Sequence, residues 1–226
     1  MATTNVILVH GAWADGSSWS KIIPALEAGG LQVTAVQLPL TSFKDDVATV
    51  GRALALVEGP VLLAGHSYGG AVITEVGTDP KVAGLIYVAA FAPDAGESAG
   101  SLLASVPPTP LATELRPDKD GFLKMTRSGY FESFGQDLTT TEKTALFAGH
   151  APTHGHSLGG TISRPAWRNK PASYIVAAND RAIDPALQAT MAKRMNAKTV
   201  SVASSHLAML AAPERVADVV LAAARA

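Results

Sequence analysis

Short apolar runs rich in β-branched residues alternate along the chain with segments of helical periodicity. Each run is too short for a helix with an apolar face, so we predict six buried strands. Several of the helix-like segments open with Pro or with a capping Ser or Asp. This alternation predicts a parallel sheet covered by helices on both faces. The predicted strands are Val6–Val9, Val33–Val36, Val61–Ala64, Val82–Val88, Ser173–Ala177 and Thr199–Val202, and the predicted helices are Ser18–Ala28, Asp45–Val57, Gly70–Thr78, Pro185–Met195 and Pro213–Ala224.

The alternation stops between about Asp94 and Lys170. This stretch contains three prolines between positions 107 and 110, several Gly and Ser, and short amphipathic pieces such as Thr141–Phe147. It predicts a cap of short helices and loops, inserted before the last two strands at the carboxyl edge of the sheet, where open α/β sheets bind ligands. We expect a single domain over 1–226, with its core in 1–93 and 171–226 and the cap in about 94–170.

A Gly-x-Ser-x-Gly motif at positions 65–69 points to a nucleophile. It directly follows the predicted strand Val61–Ala64 and opens a predicted helix, which is the strand–turn–helix setting of a nucleophile elbow. Glycine is expected at positions 65 and 69 for a steric reason, because side chains there would collide with the closely approaching chain. The motif predicts Ser67 as the catalytic nucleophile.

A serine hydroxyl needs a base, and the base needs an acid to orient it. His206 follows the last strand and precedes the final helix, which places it at the same sheet edge as Ser67. Asp180 is the first carboxylate after the penultimate strand, and we predict it as the acid. Asp94, after an earlier strand, is the rival, whereas Asp184 is expected to be a helix N-cap.

The turn after the first strand, Val9-His10-Gly11-Ala12-Trp13, is the predicted oxyanion hole. Attack on a carbonyl creates an oxyanion that needs donors already aimed at it. We predict the backbone N–H groups of Ala12 and Tyr68 as these donors.

Two residues of this turn, Trp13 and His10, are predicted to line the substrate pocket. Trp19 could line the acyl pocket as well, and packing is the alternative for both tryptophans. Packing or hydrogen bonding to the backbone is the alternative for His10 and the expected role of His66. Six apolar cap residues would extend the lining if they face the pocket, namely Leu102, Leu103, Phe122, Phe131, Phe134 and Phe147.

Composition narrows the classes of partner and cofactor. The 226 residues include 18 basic and 19 acidic side chains without blocks of one sign, which disfavours nucleic acid and anionic membranes as partners. The absence of cysteine excludes disulfides, thiolate metal sites and a cysteine nucleophile. The apolar run Val6–Val9 is too short for a signal peptide, so we expect a cytoplasmic protein with no membrane span. His150, His154 and His156 lie in an irregular segment without a nearby acidic partner, so no metal is expected.

Together these segments resemble the α/β-hydrolase superfamily over essentially the whole chain, and more narrowly its small branch related to plant methyl-ester esterases and hydroxynitrile lyases. The resemblance rests on the first strand with its turn, the elbow Gly-His-Ser-Tyr-Gly-Gly, the acid loop at 179–188 and the histidine loop at 204–206. It implies hydrolysis of small carboxylic esters without a cofactor, with the cap selecting the substrate. Two departures disfavour the lyases, because Leu207 and Gly11 stand where lyases of this type carry a lysine and a threonine.

The sequence therefore predicts an α/β-hydrolase fold and a serine hydrolase that acts through an acyl-enzyme intermediate. Two alternatives stay open in the same fold: a cofactor-free haloperoxidase or carbon–carbon bond hydrolase or lyase, and a non-enzymatic small-molecule receptor. The expected partner is a small-molecule ester, and a homodimer stays open as an alternative to a monomer.

Overall fold

Within residues 3–226, which the computed structural model describes, six parallel strands form the central sheet. The strands of this described range, of which β5 to β7 lie outside the central sheet, are β1 (Asn5–Val9), β2 (Gln32–Ala35), β3 (Val61–His66), β4 (Val82–Val88), β5 (Leu115–Pro117), β6 (Phe122–Met125), β7 (Thr153–His154), β8 (Ala172–Ala177) and β9 (Lys198–Val202). The helices are α1 (Ile23–Ala28), α2 (Phe43–Leu56), α3 (Tyr68–Val76), α4 (Ala99–Ala104), α5 (Arg127–Gly129), α6 (Thr140–Gly149), α7 (Gly155–Gly159), α8 (Pro185–Arg194), α9 (Ala208–Ala211) and α10 (Pro213–Ala224).

The central sheet has the order β2-β1-β3-β4-β8-β9, and all its neighbours pair in parallel. The prediction of six parallel strands is confirmed, and the bounds of β4 match those predicted. The inner strands β1, β3, β4 and β8 are buried as predicted, whereas β2 and β9, at the edges of the sheet, are partly exposed. The chain winds outward from β1 to β2 and then returns to place β3 on the other side of β1. This reversal opens a crevice at the carboxyl ends of β1 and β3, the position where open α/β sheets bind ligands.

The segment between β4 and β8 differs from the predicted mixture of helices and loops. It contains α4 to α7 but also, in the part of the chain that the structure describes, an antiparallel sheet of the order β5-β6-β7. These strands have two to four residues, β5 ends at Pro117, and β7 pairs with β6 across a long stretch of chain. Because the strands are so short, they leave no alternation in the sequence long enough to recognise.

Two of the helices begin at the residues predicted to start them, a capping aspartate and a proline. Asp184 accepts a hydrogen bond from the Ala186 N–H and caps α8, and Pro213 begins α10, as predicted. The prediction that a helix begins at Ser18 is wrong, because Asp15 caps a short 3₁₀ helix over Gly16–Trp19 and α1 begins only at Ile23. None of the helices in residues 3–226 is long and apolar enough to cross a membrane.

Candidate active site

Ser67 lies in the tight turn between β3 and α3, with φ 53° and ψ −122°. A residue other than glycine rarely adopts a positive φ. Holding such a residue in this conformation costs about 1–3 kcal/mol, which the surrounding structure must offset. The strand next to the turn does so: the Ser67 N–H donates to the Val88 carbonyl (3.2 Å), and the Ser67 carbonyl accepts from the Phe91 N–H (3.0 Å). The turn brings Ser67 to the wall of the cavity described below.

The glycines of this turn are required because neighbouring backbone lies very close to their Cα atoms. A Cβ on Gly65 would lie 2.6 Å from the carbonyl oxygen of Gly69, and one on Gly69 would lie 2.4 Å from the carbonyl oxygen of Val9. Both distances are far below van der Waals contact. The prediction that side chains at 65 and 69 would collide with the chain is therefore confirmed.

His206 and Asp180 meet in the buried interior, each at the end of a strand of the central sheet. The Nδ1 of His206 lies 2.7 Å from the Oδ2 of Asp180, and both side chains are buried. Because an ionised carboxylate only accepts hydrogen bonds, this contact places a proton on Nδ1. The other ring nitrogen, Nε2, has no hydrogen-bond partner in the described part of the chain, and His206 lines the same cavity as Ser67.

Two aromatic rings hold the imidazole of His206 from different sides. His66 lies 4.7 Å and Phe134 5.0 Å from it between ring centroids. His66 Nε2 also donates to the backbone carbonyl of His206 at 2.9 Å. Burial, together with the neighbouring His206, holds the pKa of His66 well below its usual value, so His66 is neutral. The loop is fixed one residue earlier by the Ser205 N–H, which donates to Asp137 of the cap at 2.6 Å.

The two candidate acids have different partners. Asp180 Oδ1 accepts from the N–H groups of Ala182 (2.7 Å) and Ile183 (3.0 Å), so its carboxylate is fixed by its own loop. Asp94 instead forms an ion pair with Arg168 at 2.7 Å. Burial acts to raise the pKa of Asp94, but the Arg168 hydrogen bond helps to lower it overall. The structure thus brings Asp180, and not its rival, to His206.

The two predicted oxyanion donors belong to the turns that follow β1 and β3. Ala12 follows β1 and Tyr68 begins α3, and both line the cavity. Neither backbone N–H donates a hydrogen bond to another group within residues 3–226. Unpaired backbone N–H groups of this kind are what an oxyanion hole requires, so the prediction for Ala12 and Tyr68 stays open to test.

His10 lies beneath the oxyanion turn and not in the pocket. The Leu38 N–H donates to its Nε2 at 2.9 Å, which leaves the proton on Nδ1 to be donated to the Gly11 carbonyl at 2.8 Å. Burial lowers the pKa of His10, although the Gly11 bond acts in the opposite direction. The prediction that His10 lines the pocket is wrong, because its ring is used to fix the backbone, as the alternative interpretation expected.

The two tryptophans of this region differ in position. Trp13 lines the cavity, and its indole Nε1 donates to the Leu123 carbonyl in the cap at 2.8 Å. Its backbone N–H donates to Thr153 Oγ1, so the oxyanion turn is joined to two cap strands. Trp19 is fully buried against the edge of His66 and lines no part of the cavity, which makes it a packing residue.

The cavity beside Ser67 has a volume of about 500 Å³ and lies between the sheet edge and the cap. Of the six cap residues expected in its lining, only Leu103 and Phe134 are found there. No Asp, Glu, Lys or Arg in the described range 3–226 lines it. The cap residues of the lining include Leu103, Val106, Pro107, Leu111, Leu115, Phe134 and Leu158.

The three histidines of the cap serve local contacts. His150 stacks on Phe147, with ring centroids 4.9 Å apart, and its Nδ1 bonds the Phe147 carbonyl at 2.5 Å. The ring of His154 lies 4.4 Å from that of His156 and bonds the carbonyl of Asp120.

Two buried polar residues beside the site were not singled out from the sequence. Gln188 of α8 bonds Asp180, and Asp46 of α2 accepts from the Tyr68 hydroxyl at 2.7 Å. Burial raises the pKa of Asp46, partly offset by its hydrogen bonds. Each occupies an otherwise apolar stripe of an amphipathic helix, and a polar residue in such a stripe is the signal that would have found it.

Comparison with known proteins assigns the fold to a family. The profile of the alpha/beta hydrolase family matches residues 6–219. The chain belongs to this family. The alpha/beta hydrolase fold and the resemblance predicted from the motifs are therefore confirmed.

The relatives of this alpha/beta hydrolase include proteins named as a hydrolase and as a methylesterase. It is 29% identical to a pyrethroid hydrolase of Sphingobium wenxiniae, over 97% of this chain and 87% of that protein, and 25% identical to methylesterase 8 of Arabidopsis thaliana, over 99% and 90%. The crystal structure of a pyrethroid hydrolase from Sphingobium faniae JZ-2 superimposes with a TM-score of 0.86 at 27% identity, covering 99% of this chain and 98% of that one. These similarities confirm the prediction of a carboxylic ester hydrolase.

Proposed function

We propose that the protein is a serine esterase that cleaves small, neutral carboxylic esters through an acyl-enzyme intermediate. One observation carries the proposal: His206 is bonded through Nδ1 to the buried Asp180, its Nε2 is unpaired in the described chain, and His206 and Ser67 line the same cavity. A ring fixed in this tautomer has its free lone pair available to take the proton of a serine hydroxyl.

The reaction follows from these positions. Ser67 Oγ attacks the ester carbonyl carbon while its proton passes to His206 Nε2, and Asp180 stabilises the imidazolium that forms. The carbonyl oxygen becomes an oxyanion that the N–H groups of Ala12 and Tyr68 stabilise. The tetrahedral intermediate expels the alcohol, which leaves with the proton from Nε2. Water then attacks the acyl-serine by the same route, releasing the acid and restoring Ser67.

The cavity favours a neutral, apolar substrate. Its lining contains aliphatic, aromatic and proline side chains, and no Asp, Glu, Lys or Arg of residues 3–226 borders it. A charge brought into such a cavity loses its hydration without gaining a partner, which is costly. A volume of about 500 Å³ also lies within the range of ordinary small-molecule sites.

The test of the nucleophile compares Ser67→Ala with Ser201→Ala, an exposed serine of β9. Ser67→Ala should lower the turnover of p-nitrophenyl esters by several orders of magnitude and abolish labelling by a fluorophosphonate, with the melting temperature nearly unchanged. Ser201→Ala should react like the unsubstituted protein. Retention of most of the turnover by Ser67→Ala would show that the mechanism is wrong.

The same assay tests the substrate class. A series of p-nitrophenyl esters of graded acyl length should be cleaved, and an ester whose acyl chain ends in a carboxylate should have a kcat/KM at least about 100-fold lower than its neutral isostere. Equal kcat/KM values for the two would refute the preference for neutral substrates.

A further inference from the structure

The amide of Gln188 bonds the side chain of Asp180 and does not line the cavity. Gln188 belongs to α8 and is fully buried. Its neighbours on the buried face of the helix are Leu187, Met191 and Ala192, so the amide occupies a position where an apolar side chain would be ordinary.

The amide bonds both ends of the acid loop. Its Oε1 accepts from the N–H of Ala177, the last residue of β8, at 3.0 Å. Its Nε2 donates to the Ile183 carbonyl at 2.9 Å and to Asp180 Oδ2 at 2.7 Å. The oxygen and nitrogen of the Gln188 amide cannot be exchanged, because the Ala177 N–H only donates a hydrogen bond and the Ile183 carbonyl only accepts one. Both hydrogens of the amide are thus used, and one of them is fixed on the carboxylate.

The oxygen that accepts from Gln188 is the one that accepts from His206. Oδ2 of Asp180 lies 2.7 Å from Gln188 Nε2 and 2.7 Å from His206 Nδ1, while Oδ1 is held by the loop N–H groups. A neutral donor on Oδ2 fixes where that oxygen lies and draws off part of the charge that it presents to the imidazole.

From these contacts we infer that Gln188 is a positioning residue of the catalytic site, which holds Asp180 Oδ2 in place for His206 and moderates its strength as an acceptor. The inference rests on the proposed function, in which Asp180 stabilises the His206 imidazolium. Gln188 does not line the cavity, so it acts through Asp180 and not on the substrate.

The test replaces Gln188 by methionine, which has a similar volume and removes all three hydrogen bonds. We expect kcat to fall by about 10- to 100-fold, as for outer partners that orient a reacting group, with KM changed by less than about twofold. We also expect the acid limb of the kcat/KM profile to move to higher pH, because Oδ2 without its neutral donor holds the imidazolium more strongly. Other titratable groups near the pair, His66, Tyr174 and Asp137, are unchanged in this variant.

The control is Tyr87→Phe, which removes a buried hydrogen bond between Tyr87 and Thr74 (2.9 Å), neither of which is bonded to His206 or Asp180. It measures what a lost buried hydrogen bond does through stability alone. If Gln188→Met lowers the melting temperature like Tyr87→Phe but leaves kcat and the acid limb in place, Gln188 is a structural residue and the inference is wrong.

A second measurement does not depend on turnover. The hydrogen-bonded Nδ1 proton of His206 should give a far-downfield proton NMR resonance, assigned by its loss in Asp180→Asn, and this resonance should shift in Gln188→Met but not in Tyr87→Phe. An unshifted resonance would overturn the inference. Failure of the proposed function would be recognised separately, because the unsubstituted protein would then lack Ser67-dependent ester cleavage.

Discussion

Single hydrogen bonds distinguish the two carboxylates that the sequence left in competition. His206 is bonded to Asp180 at 2.7 Å, and Asp94 is paired with Arg168 near the surface. Proximity of both to strand ends made either one possible from the sequence. The two aspartates differ in whether the loop that carries them turns back toward His206. That turn depends on contacts between β8, α8 and the cap, which the local sequence pattern does not indicate.

Replacing each carboxylate by its amide should give unequal effects. Asp180→Asn should lower kcat by about four orders of magnitude, because asparagine can hold the histidine in the wrong tautomer with unchanged geometry. Asp94→Asn should cost at most about tenfold, since it removes only an exposed ion pair with Arg168. Steady-state kinetics on a p-nitrophenyl ester would check this. An active Asp180→Asn beside an inactive Asp94→Asn would reverse the roles.

The residues that could be predicted are those whose chemistry is tied to a motif or to a strand end. Ser67, His206 and Asp180 each follow a strand of one parallel sheet, so their common edge could be derived before any coordinates were known. His10 and Gln188 could not be placed in this way. His10 bonds the Gly11 carbonyl and Gln188 bonds the Asp180 carboxylate. The direction in which these two acceptors point depends on the conformation of the turn that carries each of them.

At the scale of elements, the strands of the central sheet could be predicted, and the small sheet of the cap could not. A parallel strand covered on both faces is a continuous apolar run, so the bounds of β4 match its run from Val82 to Val88. The short strands β5 and β7 are partly exposed and have no such signature. Two strands of the cap sheet are also bonded to Trp13 of the core, which donates to the Leu123 carbonyl of β6 and to Thr153 Oγ1 of β7.

Helix α6 illustrates how one cap element is attached to the core. Thr139 and Glu142 form a capping box, and Glu142 pairs with Lys21 at 2.6 Å. The Lys21 contact, followed by the bonds from Thr139, lowers the pKa of Glu142 to about 2. Because the pKa in the folded state lies below the ordinary value of 4.5, ionised Glu142 stabilises the fold above pH 4.5, and this stabilisation is lost as pH falls toward 2.

Glu142→Gln should therefore lower the free energy of unfolding at pH 7 by at most about 1 kcal/mol, since the pair is partly exposed. The difference from the unsubstituted protein should shrink between pH 4.5 and pH 3. Urea unfolding of the two proteins at pH 4.5 and at pH 3 measures this difference in the free energy of unfolding. The matched control is Glu214→Gln in the first turn of α10, whose side chain makes no hydrogen bond or ion pair within the described residues. A difference for Glu142→Gln that grows toward pH 3 would contradict the assigned ion pair.

At the scale of the whole molecule, the cap is bonded to the same loops that carry the candidate acid and base. Phe134 packs on His206, and the backbone of the acid loop is held from several cap positions. A cap that moved independently would break these contacts and displace Asp180 and His206 together. The bonds are Gln136 Nε2 to the Asn179 carbonyl (2.7 Å), Thr109 Oγ1 to the Ala182 carbonyl (3.1 Å), Arg181 to the Glu132 carbonyl (2.8 Å) and the Ser205 N–H to Asp137 (2.6 Å).

The prediction of a single domain over 1–226 stays a prediction, and these bonds favour it. We expect one cooperative transition in differential scanning calorimetry, with equal calorimetric and van't Hoff enthalpies. At roughly 0.7 kcal/mol per residue near 60 °C, unfolding of the whole chain should absorb about 160 kcal/mol. If the cap of about 94–170 unfolded by itself, a separate peak would carry about a third of that enthalpy, and fluorophosphonate labelling would be lost at the lower temperature. Such a pair of peaks would show that core and cap are separate folding units, and that the candidate site depends on the weaker of the two.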